Sequence, residues 1–178
     1  VARAKPYLGY SDAGSLLAGM YKAGFKHLAH GPMASDSVRD DATARGALSW
    51  LTTGRTDWIE PSLATDPRPA VAFNLTILNE LTGTPLEPDL SDHVLMLEEV
   101  SEAAYRIDRM MFHLTSQASI RRVAGIRMGR VSDVTPNDPD FGQTPEEIVR
   151  YWCLRSGIPF LGSADIGHDA ANKVVPLG

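Results

Sequence analysis

The chain has 178 residues, of which 43% are hydrophobic and 22% charged, as is typical of a globular protein of one domain or two small ones. Its 22 acidic and 17 basic residues give a net charge of −5 without any basic tract, which argues against binding to nucleic acid. The single cysteine, Cys153, excludes a disulfide framework and a cysteine-rich zinc site. Its apolar runs are far shorter than the roughly 20 residues that span a membrane, so we expect a soluble protein from a reducing compartment.

The first third of the chain alternates short strand patterns with helical ones, and Ser11 is expected to cap the first helix. The elements predicted there are a strand at 7–10, a helix from Asp12 to about Ala23, a strand at 25–29, the turn His30-Gly31-Pro32 and a helix at 37–51. Residues 52–69 contain Gly54 and three prolines, and they are interpreted as loops and short strands. A domain boundary is placed in that segment, dividing the chain into residues 1–65 and 66–178.

The rest of the chain continues the alternation. Asn74 is expected to cap a short helix that ends at Gly83, and Thr144-Pro145-Glu146-Glu147 is a capping box with proline at the first helical position. The other predicted elements are strands at 93–98, 123–131 and 158–161, a helix at 102–115, and the helix that runs from the capping box to Gly157. This alternation indicates an α/β fold.

Two features of the pattern point to chemistry. His168 lies in a loop directly after a predicted strand, where α/β folds place working side chains, so a general base is one interpretation; on spacing alone a solvated loop histidine is favoured over it. Glu98 and Glu99 end a buried strand, and such an acid can orient a histidine base and stabilise its imidazolium form. A pair of acids at the surface edge of the sheet is an equally good interpretation of the spacing.

Other motifs carry less. His27 and His30 are three residues apart, but on a strand and turn that spacing does not bring two imidazoles together, so a zinc site is disfavoured. Cys153 is interpreted as a core residue beside Trp152. No nucleophile elbow, P-loop or dinucleotide fingerprint is present. Spacing alone therefore predicts an α/β protein with a Glu–His pair and no convincing nucleophile.

Six segments, in order, resemble the LD-carboxypeptidase family of serine peptidases, which includes the microcin-C self-immunity peptidases. Residues 5–12 (KPYLGYSD) resemble the family's "PK-x-x-GYSD" segment, and His30-Gly31-Pro32 resembles its "HGP" turn. The other four matches are Asn74 to Leu78 with Gly83-Thr84-Pro85, Leu97 to Arg109, Gly125 to Gly129, and Gly167-His168 with the final Pro-Leu-Gly.

The resemblance implies the end of an N-terminal flavodoxin-like or amidotransferase-like α/β domain, followed by a smaller C-terminal α/β domain of the swivelling β/β/α type. It implies a Ser–Glu–His triad in which Glu98 orients the base His168, with the site in the cleft between the domains and no metal or cofactor. Ser11, Asp12 and Asn74 are the candidate substrate-binding residues. The implied substrate is a murein-type tetrapeptide cut before its C-terminal D-amino acid, and the implied enzyme is a cytoplasmic homodimer that contacts neither membrane nor nucleic acid.

The chain departs from the family pattern in ways that keep alternatives open. The family's nucleophile lies upstream of the segment that residues 5–12 resemble, so we expect an upstream segment of the same protein to supply the serine and this chain alone to be inactive. Ala72-Phe73 replaces a Gly-Gly pair, which suggests a different turn or pocket. A shifted amide substrate, such as a peptide–nucleotide conjugate, and an inactive peptide-binding module are therefore retained. Arg106, Arg109 and Arg130 are candidates for binding a substrate carboxylate, although an ion pair of Arg109 with Asp108 or Glu102 is favoured over that role.

Overall fold

The computed structural model describes residues 5–33 and 41–178 and shows a mixed α/β fold. Its strands are β1 Tyr7–Gly9, β2 Leu28–His30, β3 Ala70–Asn74, β4 Val94–Val100, β5 Gly125–Ser132, β6 Phe160–Ser163 and β7 Val175–Pro176. Its α-helices are α1 Ala13–Lys22, α2 Asp41–Thr53, α3 Leu75–Leu81, α4 Ala104–Ser116 and α5 Pro145–Ser156. Within the described residues, 3-10 helices cover Pro61–Ala64 and Ile120–Arg122.

The strands form two sheets. The larger has the order β3-β4-β5-β6 and is parallel throughout. The smaller has the order β1-β2-β7, in which β1 and β2 are parallel and β7 returns antiparallel to β2. The carboxyl ends of parallel strands meet at one edge of their sheet, and that edge is where α/β folds build their sites.

Strand alternation divides the core into two clusters. Val71, Phe73, Leu95 and Leu97 face a large cluster that includes side chains of α1, α3, α4 and α5. Ala70, Ala72, Val94 and Met96 face a smaller cluster completed by Ala164, Ile166 and Val175. Because helices and loops cover both faces, β3 and β4 each begin with four consecutive apolar residues, Ala70 to Phe73 and Val94 to Leu97.

Most elements lie where the pattern predicts them, within two residues at their ends. Asn74 caps α3, the capping box begins α5, Gly157 ends α5 in the left-handed conformation, and Cys153 is buried. The helix predicted at 37–51 is seen as α2 from residue 41, since the start of that prediction lies outside the described residues. The second strand begins at Leu28 and takes in His30, which the sequence assigns to the turn.

Two expectations are corrected. The strand β3 is missing from the prediction, because five buried residues in a row have no alternation that distinguishes a strand from a helix. Ser11 does not cap α1: the capping position is Asp12, which makes no side-chain capping bond, and Ser11 has a φ of 55°. The division of the chain near residue 65 remains a prediction. Among the described residues, no helix combines the length and the apolar character needed to cross a bilayer.

Candidate active site

The site lies at the carboxyl ends of the parallel strands. Glu98 is near the end of β4, Tyr10 follows β1, and His30 is the last residue of β2. His168 lies in the loop that leaves β6, so four different strands deliver these side chains to one place. Strand alternation puts Glu98 on the same face as Ala164 and Ile166, which is the face over which the His168 loop passes.

Glu98 and His168 face each other. The Nδ1 atom of His168 lies 3.5 Å from Oε2 of Glu98, the long end of hydrogen-bonding distance. The Glu98 side chain is fully buried, whereas that of His168 is 23% exposed. Burial raises the pKa of the Glu98 carboxyl above its ordinary value, and the neighbouring His168 acts in the opposite direction. The pair therefore has a buried acid on the inside and an imidazole at the surface.

Glu99 points to the opposite face of β4 and has a structural role. Its carboxylate accepts hydrogen bonds from Asn74 Nδ2 at 2.8 Å, from the Thr76 N–H at 2.8 Å and from the Thr76 hydroxyl at 2.7 Å. The Val100 N–H adds a fourth bond at 2.9 Å. Both acids are buried, so the interpretation of Glu98 and Glu99 as a surface-edge pair is wrong. The two acids are consecutive in β4, yet Glu98 faces His168 and Glu99 anchors α3.

The rings of Tyr10 and His30 pack in sequence beside His168. The Tyr10 ring lies edge-on to His168 with the centroids 4.6 Å apart, and His30 lies edge-on to Tyr10 at 6.1 Å. His30 is only 1% exposed, and neither of its ring nitrogens has a hydrogen-bond partner in the described part of the chain. Burial and the nearby His168 lower the pKa of His30 to about 3, so His30 is a neutral imidazole at ordinary pH.

The low pKa of His30 predicts acid sensitivity. Below its ordinary pKa of 6.5, the unfolded chain takes up a proton at His30 that the folded chain refuses until about pH 3. His30 therefore favours folding above pH 6.5, and this contribution is lost as the pH falls. We expect His30→Leu to remove about 1.4 kcal/mol per pH unit from the slope of the unfolding free energy between pH 6 and pH 4. Urea unfolding of both chains across that range measures it. Equal slopes would contradict the prediction, and His27→Leu at an exposed position is the control.

The three candidate substrate-binding residues take different positions. Asn74 lies opposite Glu98 in the strand register, but its oxygen accepts the Ile77 N–H and its amide donates to Glu99. Ser11 follows Tyr10 directly and is partly exposed, in a left-handed conformation that a serine rarely adopts. Asp12 is exposed at the start of α1. Of the three, Asn74 is the one whose polar groups are already occupied by the fold.

The three candidate arginines are also engaged. Arg106 pairs with Glu102 at 2.8 Å, so the partner expected for Arg109 binds Arg106 instead. Arg109 instead lies over the ring of Tyr105, 4.8 Å from its centroid. Arg130 pairs with Asp165 and Asp169, the residues on either side of the His168 segment.

Ala72 and Phe73 do not form a turn. They lie inside β3, and the Phe73 ring is buried in the large core cluster beside Gly14 of α1. This corrects the expectation of a changed turn at these positions. Among described residues, no three His, Cys, Asp or Glu side chains come together as metal ligands, and His27 is exposed while His30 is buried.

Sequence reasoning missed several residues of the site. Tyr10 and His30 lie in two of the motifs that resemble the family, but the spacing of these residues does not indicate that they pack beside His168. The pairing of Arg130 with Asp165 and Asp169 spans 35 and 39 residues, which no local pattern records. The available signal was that Asp165 and Asp169 lie within three residues of His168 in the sequence.

Comparison with known proteins identifies the family. The LD-carboxypeptidase C-terminal domain matches residues 69–178 of this chain. The chain belongs to the LD-carboxypeptidase family. A Synechocystis sp. protein classed with the carboxypeptidases is 31% identical over 186 residues, which cover 100% of this chain and 60% of that protein.

Two solved structures of similar fold extend the comparison. The muramoyltetrapeptide carboxypeptidase from Oxalobacter formigenes has a TM-score of 0.79 at 26% identity, over 97% of this chain and 62% of that one. The microcin C7 self-immunity protein in complex with glutamyl sulfamoyl guanosine has a TM-score of 0.77 at 19% identity, over 99% and 64%. The chain thus spans about 60% of the length of the Synechocystis and Oxalobacter proteins.

Proposed function

We propose that this chain is part of a serine-type carboxypeptidase that hydrolyses the amide bond between an L-centre and a C-terminal D-amino acid. The observation that carries the proposal is the buried Glu98 facing Nδ1 of the partly exposed His168 at the carboxyl edge of the sheets. The family membership of the chain and the name of the Oxalobacter relative support the murein tetrapeptide as substrate.

In the proposed mechanism, the carboxylate of Glu98 accepts a hydrogen bond from the Nδ1–H of His168, which keeps that proton on Nδ1 and leaves Nε2 unprotonated. Nε2 takes the proton of a serine Oγ while that oxygen bonds to the scissile carbonyl carbon. The imidazolium then gives this proton to the departing amine of the D-amino acid as the C–N bond breaks. A water molecule then hydrolyses the acyl-enzyme. His168 takes one proton of this water while the water oxygen bonds to the carbonyl carbon. The imidazolium gives the proton to the serine Oγ as the bond between Oγ and the carbonyl carbon breaks, which releases the shortened peptide.

We assign the serine to the part of the relatives that this chain does not span. In the resemblance on which this rests, the nucleophile precedes the segment matched by residues 5–12. The 178-residue chain alone is therefore proposed to be inactive, because a Glu–His pair without its nucleophile retains only a small fraction of a triad's rate. The homodimer and the cytoplasmic location implied by the family resemblance belong to the same proposal, and light scattering and cell fractionation of the intact protein test them.

The proposal predicts release of D-alanine from a murein tetrapeptide by the intact protein. We expect His168→Ala to lower kcat by roughly 10⁴-fold or more, since the general base is lost. D-Alanine release is measured with a coupled D-amino acid oxidase assay, beside intact mass under denaturing conditions to establish which chains are present. The matched control is His113→Ala, which removes an imidazole on α4 that hydrogen-bonds Asn79.

The outcomes separate the alternatives. Full activity in the His168→Ala enzyme would overturn the assignment of the base. No release from the tetrapeptide, together with cleavage of glutamyl sulfamoyl guanosine, would favour the shifted amide substrate instead, a candidate suggested by the ligand of the microcin C7 self-immunity protein. Binding of the tetrapeptide without cleavage of either compound would identify a binding module.

A further inference from the structure

One arginine side chain ties both ends of the His168 segment together. Nε and Nη2 of Arg130 donate to the two carboxylate oxygens of Asp169 at 2.5 and 2.9 Å, which is a two-point fork. Nη1 donates to Asp165 at 2.5 Å. Since Asp165 and Asp169 lie on either side of His168, the guanidinium closes residues 165–169 into a small ring. A lysine could supply the charge but not the planar fork.

The backbone of β5 is arranged to deliver this side chain. While β4 advances from Leu97 to Glu99, β5 advances from Met128 to Val131, so β5 carries one extra residue beside Glu98. Such bulges re-aim a side chain next to a site. The Arg130 N–H then donates to the carbonyl of Ile166 at 2.8 Å, which fixes the backbone of the loop as well.

Two glycines allow the close approach that the ring needs. A Cβ on Gly129 would lie 2.6 Å from Cγ1 of Ile166 and 2.9 Å from its carbonyl oxygen. A Cβ on Gly167 would lie 2.8 Å from Nε of Arg130 and 2.9 Å from Oδ2 of Asp169. These distances are all shorter than the contacts that Cβ atoms make in real proteins. A side chain at either glycine would therefore push the loop and the guanidinium apart.

The same contacts set the charge around His168. Partial burial acts to raise the pKa of Asp169, but its hydrogen bonds to Arg130 and to the Ala171 N–H outweigh burial and hold that pKa below its usual value. The titratable and charged groups around the imidazole are Glu98 of β4, His30 of β2, Tyr10 after β1, Asp165 and Asp169 of its own loop, Arg130 of β5, and Lys173, 4.0 Å from Asp165. Arg130 is thus the cation that the two loop carboxylates share, and Lys173 lies near Asp165 as well.

We propose that Arg130 is a positioning residue: its guanidinium clamps Asp165 and Asp169 and thereby holds His168 between Glu98 and the Tyr10 ring. The clamp serves the reaction proposed above, but its existence is a property of the folded chain. It therefore can be tested without catalysis, and a failure of the test would leave the proposed function standing.

The test is NMR of the imidazole of His168 in the 178-residue chain, assigned with a His168→Gln variant. In the unsubstituted chain we expect a nuclear Overhauser effect between the ring protons of His168 and Tyr10, whose centroids are 4.6 Å apart. In Arg130→Gln we expect that effect to disappear. We also expect the pKa of His168 to rise by about 0.5–1 unit relative to the unsubstituted chain, because Asp169 and Asp165 both lose the guanidinium and Asp165 keeps only Lys173, 4.0 Å away.

Two further variants make the result decisive. Arg130→Lys keeps the charge and loses the fork, so it should lose the Tyr10 contact while its titration moves less; it also serves if the glutamine variant does not fold. Arg68→Gln breaks another two-point pair, with Asp66 at 2.8 and 2.7 Å, that does not touch the His168 loop, and it should change neither signal. An unchanged Tyr10 contact and titration in folded Arg130→Gln or Arg130→Lys would overturn the clamp.

Discussion

For the carboxypeptidase reaction proposed above, Glu98→Gln in the intact protein is expected to lower kcat by roughly 10⁴-fold while KM changes little. Glutamine keeps the size of glutamate, but its amide can donate to Nδ1 of His168, 3.5 Å away in the unsubstituted chain. That bond favours the tautomer with the proton on Nε2, and this nitrogen then cannot accept the serine proton. Steady-state kinetics of D-alanine release measure the effect, with Glu146→Gln on the exposed face of α5 as the control.

Stability should respond in the opposite sense. Because the pKa of Glu98 is raised above 4.5 in the folded chain, the folded state holds a proton that the unfolded state has released once the pH passes 4.5. Glu98 therefore weakens the fold as the pH rises from 4.5 through its raised pKa. The neutral amide of glutamine does not ionise, so the variant avoids this loss of folding free energy. It should therefore be at least as stable as the parent at pH 7. Lower stability together with normal kcat would make Glu98 a structural acid.

Much of this arrangement was predictable because local rules decide it. The capping box at Thr144, the Asn74 cap and Gly157 each use backbone groups within a few residues of themselves. Alternation along β4 and the loop position of His168 together pointed to an acid and an imidazole. The family resemblance then joined the two, across 70 residues of sequence that no spacing rule connects.

The rest depended on contacts that form only when the sheets assemble. The β5 bulge arises where Gly129 meets Ile166, and its sequence does not differ from that of a regular strand. The sequence predicts His30 as a turn residue, but His30 belongs to β2, which pairs with both β1 and β7. The imidazole is therefore buried in the interior. The strand β3 consists only of buried residues and shows no period at all.

The structure also explains why two acids follow each other in β4. A strand sends neighbouring side chains to opposite faces, so one short segment can serve a site and a helix at once. Glu98 is left without strong hydrogen-bond donors in the described residues, which leaves its charge available to His168. Glu99 instead has four donors, and two of them come from Thr76 in the first turn of α3. The strand β4 thus positions Glu98 at the site, while its next residue, Glu99, fixes α3.

Glu99→Gln is expected to lower the free energy of unfolding by about 3–5 kcal/mol, because hydrogen bonds to a buried charged group are worth about 1.5–3 kcal/mol each. The carboxylate accepts from Asn74 Nδ2, from the N–H and hydroxyl of Thr76, and from the Val100 N–H. An amide has one oxygen, so its NH2 group must face donors on one side, leaving buried N–H groups unpaired. Urea unfolding at pH 7 measures the loss, and Glu80→Gln at an exposed position of α3 should change it by less than about 0.5 kcal/mol. If the Glu99 and Glu80 variants unfolded at the same urea concentration, Glu99 would not be the anchor of α3.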